Sequence, residues 1–106
     1  MNPSDSWQRE IKEAAYQRMV VDLLTMYRFR VFHTYDSRRS APGFPDVIAT
    51  DGQRLFVWEF KTERGQVSPD QEAWIVALRP FATDARVVRP SDWDELVAII
   101  TGRLPQ

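Results

Sequence analysis

The chain has 106 residues, 43% hydrophobic and 27% charged, a composition that predicts one ordinary globular domain over 1–106 with no second core. Its 14 Lys and Arg stand against 15 Asp and Glu, a formal net charge of -1, which excludes a protein that coats DNA by overall charge but not one with a locally basic face. Cysteine is absent and histidine occurs once, so disulfides, thiolate zinc and multi-histidine zinc motifs are excluded. No apolar run approaches the roughly 20 residues that cross a bilayer. The opening Met1-Asn2-Pro3-Ser4-Asp5 lacks the basic-then-apolar order of a signal peptide. The expectation is a cytoplasmic protein with no membrane partner.

The first periodic stretch runs from about 6 to 27. It holds no Gly or Pro, Ser6 can cap it, and Tyr16, Val20, Leu23, Leu24 and Tyr27 fall on one stripe at about 100° per residue. That predicts a single amphipathic helix. Phe29 to Thr34 reads as a short strand, followed by a polar loop over 35–45 with two prolines and a glycine. Asp46 to Thr50 is a second strand, and Asp51-Gly52 is a hairpin signal. Leu55 to Lys61 is a third strand, apolar on both faces until its end, which places it centrally in a sheet.

After a loop, Ser68-Pro69-Asp70-Gln71 opens a second helix. Serine takes the N-cap, proline the first helical position, and glutamine stands three residues after the cap, which is a capping box. This helix should end near Arg79-Pro80. Arg86 to Arg89 is a fourth strand. Ser91-Asp92-Trp93-Asp94-Glu95 starts a last helix with another cap and early acids, ending near Gly102. The order is α-β-β-β-α-β-α, an α/β class.

The chemistry concentrates at Asp46, Glu59 and Lys61. Glu59 and Lys61 are two apart on one strand and share a face; Phe56, Trp58 and Phe60 take the other. Folding about Asp51-Gly52 brings the start of one strand to the end of the next, so Asp46 should sit beside Glu59 or Lys61. Two carboxylates with a lysine suit a hard divalent cation, which needs one or two protein carboxylates and takes its other ligands from water and phosphate. A Glu-x-Lys pair alone is commonly a solvated strand face. The large aromatics opposite argue against that here.

The ordered set Gly43-Phe44-Pro45-Asp46, Glu59-Phe60-Lys61 and Gln71-Glu72-Ala73-Trp74 resembles the signature of the PD-(D/E)XK nuclease superfamily. More narrowly it resembles the VRR-NUC, or virus-type replication-repair nuclease, domain. The resemblance spans Glu13 to about Trp93 and implies a restriction-endonuclease-like α-β-β-β-α-β core with a C-terminal helix. It implies Asp46 and Glu59 as ligands of Mg²⁺ or Mn²⁺, with the carbonyl of Phe60, and Lys61 as the lysine that positions water. The first helix of such enzymes supplies a further acid. Of Glu10 and Glu13, Glu13 lies about 40° from the centre of the apolar stripe and Glu10 about 100° away, so Glu13 is the one that points toward the sheet. The family's acid four residues before glutamine also selects Glu13, with Gln17.

Gln71 carries two readings, a capping residue and a group beside the metal site. Trp74 reads as core rather than as a platform for a base. His33 reads first as a strand histidine with a local partner, and second as a DNA contact. Arg38 and Arg39 in the polar loop, and Arg64 after the third strand, are the candidate nucleic-acid contacts. From Arg28 to Arg64 there are seven basic residues and five acids; setting aside Asp46 and Glu59 leaves this region basic.

The function implied is a metal-dependent endodeoxyribonuclease acting on branched DNA, a Holliday junction resolvase working as a homodimer in a bacterial or phage-infected cell. The rivals are a flap or end nuclease, or an idle nucleic-acid-binding module on the same fold. Apolar residues to spare point to the dimer: Trp7, Met19, Met26, Phe81 and Trp93 exceed one sheet face, and Ile11, Ala15, Met19 and Met26 lie off the main helical stripe. The first helix is therefore the expected interface.

Overall fold

In the computed structural model, which describes residues 6–34 and 41–102, the first helical stretch is two helices: α1, Ser6–Glu10, and α2, Glu13–Met26. Between them Lys12 is extended, with φ -76° and ψ 152°, and no side chain caps α2. The reason for the break lies in Trp7 and Ile11. On a straight helix Trp7 would point about 180° away from Tyr16, and Ile11 about 140° away. The break turns both onto the core that contains Tyr16. Trp7 then meets Trp93 edge-on, with ring centroids 6.5 Å apart.

On α2 the predicted stripe holds for Tyr16, Val20 and Leu24, which are buried. Tyr27 departs from it, because it is the C-cap and is exposed. The chain leaves α2 through Arg28 in the left-handed region, φ 69°. Arg28 N–H donates to the Thr25 carbonyl and Phe29 N–H to the Leu24 carbonyl, both at 3.0 Å. This is a Schellman ending with arginine where glycine is usual, and the paired Leu24 and Phe29 side chains are both in the core.

Strands β1, Arg30–His33, β2, Val47–Thr50, β3, Leu55–Phe60, and β4, Asp84–Val88, form one sheet in the order β1-β2-β3-β4. The first two pairings are antiparallel, and β4 runs parallel to β3. The crossover between them carries α3, Pro69–Leu78, and a 3-10 turn, Arg79–Phe81. As its apolar run predicts, β3 is an inner strand covered on both sides. Phe56, Trp58 and Phe60 pack in the core with residues of α2 and of α4, Trp93–Thr101. On the other side Val57 packs with Ile75 of α3 and with Ala85. Alternation therefore puts Glu59 on the α3 side.

The start of α4 differs from the expected serine cap. A 3-10 turn, Pro90–Asp92, precedes it, and the Asp92 carboxylate accepts the Arg89 N–H at 2.8 Å. Ser91 instead donates its own N–H to Glu63. Gly102, φ 79°, ends the helix as predicted.

The apolar residues set aside for an interface divide. Trp7, Ile11, Met19 and Trp93 pack against the core, whereas Met26 and Phe81 are 73% and 78% exposed. Trp7→Ala should therefore lower unfolding stability by about 2 kcal/mol, below the cost of a fully buried tryptophan. Met26→Ser should stay within about 0.5 kcal/mol. Urea unfolding of the two variants checks this, and equal costs would mean that α1 does not pack as described.

Candidate active site

Strand register sets the site. Val47 pairs with Trp58, which brings Asp46 level with Glu59. The Asp46 carboxylate accepts the Phe60 N–H at 2.8 Å through Oδ2. Its carbonyl accepts the Thr34 N–H at 2.9 Å, and the Thr34 hydroxyl donates to the carbonyl of buried Pro45 at 3.2 Å. Asp46 is thus held by strands on either side of it.

Glu59 is 3% exposed, the charged residue that is buried among the described residues. Its Oε2 accepts a hydrogen bond from Gln71 Nε2 at 2.9 Å. Its Oε1 is buried with no donor. The neighbouring Asp46 carboxylate can bond to it only by sharing a proton. Burial first, then the Asp46 charge, pushes the Glu59 carboxyl up to about 8, with Lys61 opposing. Glu13 belongs to the same field. It is mostly exposed on the first turn of α2, yet surrounding protein, then Asp46, raises its pKa, and Lys61 again opposes. The fold therefore brings Glu13, Asp46, Glu59 and Lys61 within electrostatic reach of one another.

The capping reading of Gln71 holds, and the same side chain also reaches Glu59. Ser68 Oγ accepts the Gln71 N–H at 3.1 Å, and Gln71 Oε1 accepts the Ser68 N–H at 2.9 Å, which completes the capping box. The same amide's Nε2 is left to reach Glu59. One side chain fixes both the start of α3 and a site carboxylate.

The loop before Asp46 rests on the same turn of helix. Gly43 has φ +79°, and a Cβ there would lie 2.5 Å from the Asp70 carbonyl carbon and 2.6 Å from Gln71 N. No larger residue fits without moving α3. Trp74 holds this loop: its Nε1 donates to the Pro42 carbonyl at 3.2 Å, and its ring meets Phe44 edge-on at 5.0 Å. Trp74 is half-buried and holds this loop rather than joining the core, which departs from its reading as a core residue. The motif glycine stood in the sequence as a pattern without a reason; close approach to α3 supplies it.

His33 lies on β1 opposite Val47. Its Nδ1 is 2.9 Å from Gln17 Nε2, the local partner expected of a strand histidine. Gln17, Arg18, Asp22, His33 and Thr34 line a groove of about 550 Å³ with Ala14 and Val21. Arg64 is exposed in the loop that follows β3. Arg38 and Arg39 lie outside the described residues.

As for a cation, among the described residues no three His, Asp or Glu side chains form a complete cage. The donors at hand are Asp46, Glu59 and the Phe60 carbonyl. That set fits Mg²⁺ or Mn²⁺, which keep water and phosphate as further ligands. A buried carboxylate oxygen without a donor is the kind of group a cation satisfies.

Acids and a lysine at adjoining strand ends of an α-β-β-β-α-β core place the chain in the class of PD-(D/E)XK nucleases. The model of the VRR-NUC domain matches residues 2–92, most of the chain, and the chain belongs to that family. No curated protein matches it. Among solved structures, the Holliday junction resolvase Hjc of Archaeoglobus fulgidus is similar in fold. The TM-score is 0.51 at 22% identity, over 71% of this chain and 68% of that one.

Two expectations follow. Without metal, Glu59 binds its proton more tightly folded than unfolded, so its contribution to stability is present below its ordinary 4.5 and is lost as pH rises toward 8. Thermal unfolding in chelator should show a Tm that declines from about pH 5 to 8, and Glu59→Gln should flatten that slope; parallel slopes for the two proteins would remove Glu59 as the cause. Separately, Gly43→Ala should cost on the order of 1–3 kcal/mol through backbone strain and crowding of α3. A denaturation midpoint unchanged from wild type would show that the loop relaxes freely.

Proposed function

We propose that this nuclease is a Mg²⁺- or Mn²⁺-dependent endodeoxyribonuclease, a single domain over 1–106 that cuts branched DNA, four-way junctions above all, as a homodimer. The observation that carries the reading is Glu59: a carboxylate buried at a strand end, one oxygen without a donor, beside Asp46 and under the field of Lys61. A purely structural site has no reason to retain that cost.

In this reading Asp46, Glu59 and the Phe60 carbonyl hold the cation. When bound, the cation polarises the scissile phosphate and makes a water easier to deprotonate. Gln71 fixes the plane of the Glu59 carboxylate, as partners of metal-binding carboxylates do. Lys61 orients the attacking water and offsets charge that grows on the phosphate oxygens. Glu13, on the open side of the cluster, accepts a hydrogen bond from that water. His33 and the groove beside α2 receive the neighbouring strand, while Arg38, Arg39 and Arg64 contact phosphates.

Two strands of a junction cut symmetrically require two such sites, which a two-fold dimer supplies. Exposed Met26, Tyr27 and Phe32 offer apolar surface for it. The four-way junction is favoured because the resolvase Hjc shares the fold.

The test compares cleavage of a four-way junction with duplex, flap and RNA in Mg²⁺ or Mn²⁺. Wild type should nick the junction in pairs and scatter light as about twice 12.4 kDa. Asp46→Ala should lose cleavage and calorimetric Mn²⁺ binding. Lys61→Ala should keep both ligands and lose about 10²- to 10⁴-fold in turnover. Mn²⁺ binding unchanged in Asp46→Ala would eliminate the site, and a monomer that prefers flaps would reassign the substrate.

A further inference from the structure

We infer that Arg89 is a positioning residue for Lys61, acting through the loop 62–65; this rests on the role proposed for Lys61. Arg89 directly follows β4, the parallel neighbour of β3, so the two strands deliver Arg89 and Lys61 to the same end of the sheet. The ladder continues one step beyond β3, where the Lys61 N–H donates to the Val88 carbonyl at 3.1 Å. Arg89 then reaches across the loop. Its Nη1 donates to the carbonyls of Thr62 at 2.7 Å, Glu63 at 3.2 Å and Gly65 at 2.8 Å.

One nitrogen with two hydrogens thus gathers three carbonyls into a ring about a permanent cation. A second latch closes the same junction from the other side, since the Glu63 carboxylate accepts the Ser91 N–H at 3.0 Å. Arg89 is itself held, its own N–H being bonded to Asp92.

The link to Lys61 runs through Gly65. A Cβ on Gly65 would lie 3.4 Å from Lys61 Cδ and 3.0 Å from Thr62 Oγ1, so the Gly65 Cα stands within one bond length of contact with the lysine stem. By holding the Gly65 carbonyl, Arg89 keeps that wall in place. A four-carbon stem with no wall samples several rotamers, and its ammonium spends less time where the reaction needs it.

Turnover should reflect this while binding does not. Arg89→Met should lower kcat on junction DNA by about 10- to 100-fold, at or below the low end of the roughly 10²- to 10⁴-fold that outright loss of an acid-base group costs. KM for DNA and the calorimetric Mn²⁺ affinity should stay within about twofold. In metal-free protein, carbon relaxation at Lys61 Cε should show a restrained stem in wild type and a mobile one in Arg89→Met. Combining Arg89→Met with Lys61→Ala should add nothing to the loss from Lys61→Ala alone, because the two act as one unit. Where Arg89→Met does not fold by circular dichroism, Arg89→Lys keeps the charge without the planar fork and is read in the same way.

Losses that multiply in the double variant, or an unchanged Lys61 relaxation, would overturn the inference while leaving the proposed chemistry intact. Normal cleavage by Lys61→Ala alone would instead overturn the role of Lys61 and this inference with it.

Discussion

The structure turns on a buried carboxylate. Glu59 lies next to the end of β3, a strand covered on both faces, and only one of its oxygens finds a donor. Removing an ionised carboxylate from water is among the largest single costs a fold can carry, and proteins usually meet it by protonation, pairing or a metal. Protonation is the direction in which the metal-free site leans. Pairing is partial, because Lys61 acts on Glu59 while Asp46 and Glu13 act against it. A divalent cation, if bound as proposed, would resolve all of these at once, since it would satisfy the bare oxygen and let neighbouring carboxylates stay ionised together. The pull toward the proton and the pull toward the metal have the same origin.

What surrounds Glu59 is organised to hold that group. Gln71 divides its amide, with the oxygen on the Ser68 backbone and the nitrogen on Glu59, so α3 cannot start elsewhere without releasing the carboxylate. Gly43 allows the loop before Asp46 to lie against that same first turn, and Trp74 ties the loop down from within α3. Asp46, Glu59 and Gln71 come from three separate elements, yet each is positioned by backbone bonds or by a cap rather than by a mobile side chain alone. Residues fixed in this way lose little freedom when a ligand arrives, which is the physical content of preorganisation.

Much of this was legible in the sequence because it followed local rules. The apolar run of β3 predicted an inner strand, Ser68 to Gln71 predicted the capping box, and hairpin arithmetic put Asp46 level with the end of β3. Where the sequence misled, the decision was tertiary. Nothing local marks Lys12 as a break; the helix divides because Trp7 and Ile11 must reach a core that a straight helix would turn them from. Arg28 in a left-handed ending replaces the glycine signal that would have marked it. Sequence spacing marked Gln71 as a capping residue, and only the fold, by bringing α3 against β3, lets the same side chain also bond to Glu59. Arg89 lies 27 residues from the first carbonyl it holds, a pairing that no periodicity encodes.

A site that resists its own burial must be set in a fold whose stability comes from elsewhere. The opposite face of β3 supplies it. There Phe56 stacks on Trp58 with centroids 4.7 Å apart, and Trp58 donates to Asp84 at 2.7 Å. Asp84 in turn pairs with Arg86, which reaches Glu95 on α4. This polar network lies on the core side of the sheet and ties β3, β4 and α4 together, while Glu59 faces α3. The alternation of a β-strand thus separates two requirements within six residues: side chains at 56, 58 and 60 stabilise, and the carboxylate at 59, between two of them, carries the cost of the site. For that reason a strand, rather than a helix or a loop, is the economical place for the buried acid. Its neighbours on either side are anchored in the core, and they hold it at a fixed place that its own electrostatics would not choose.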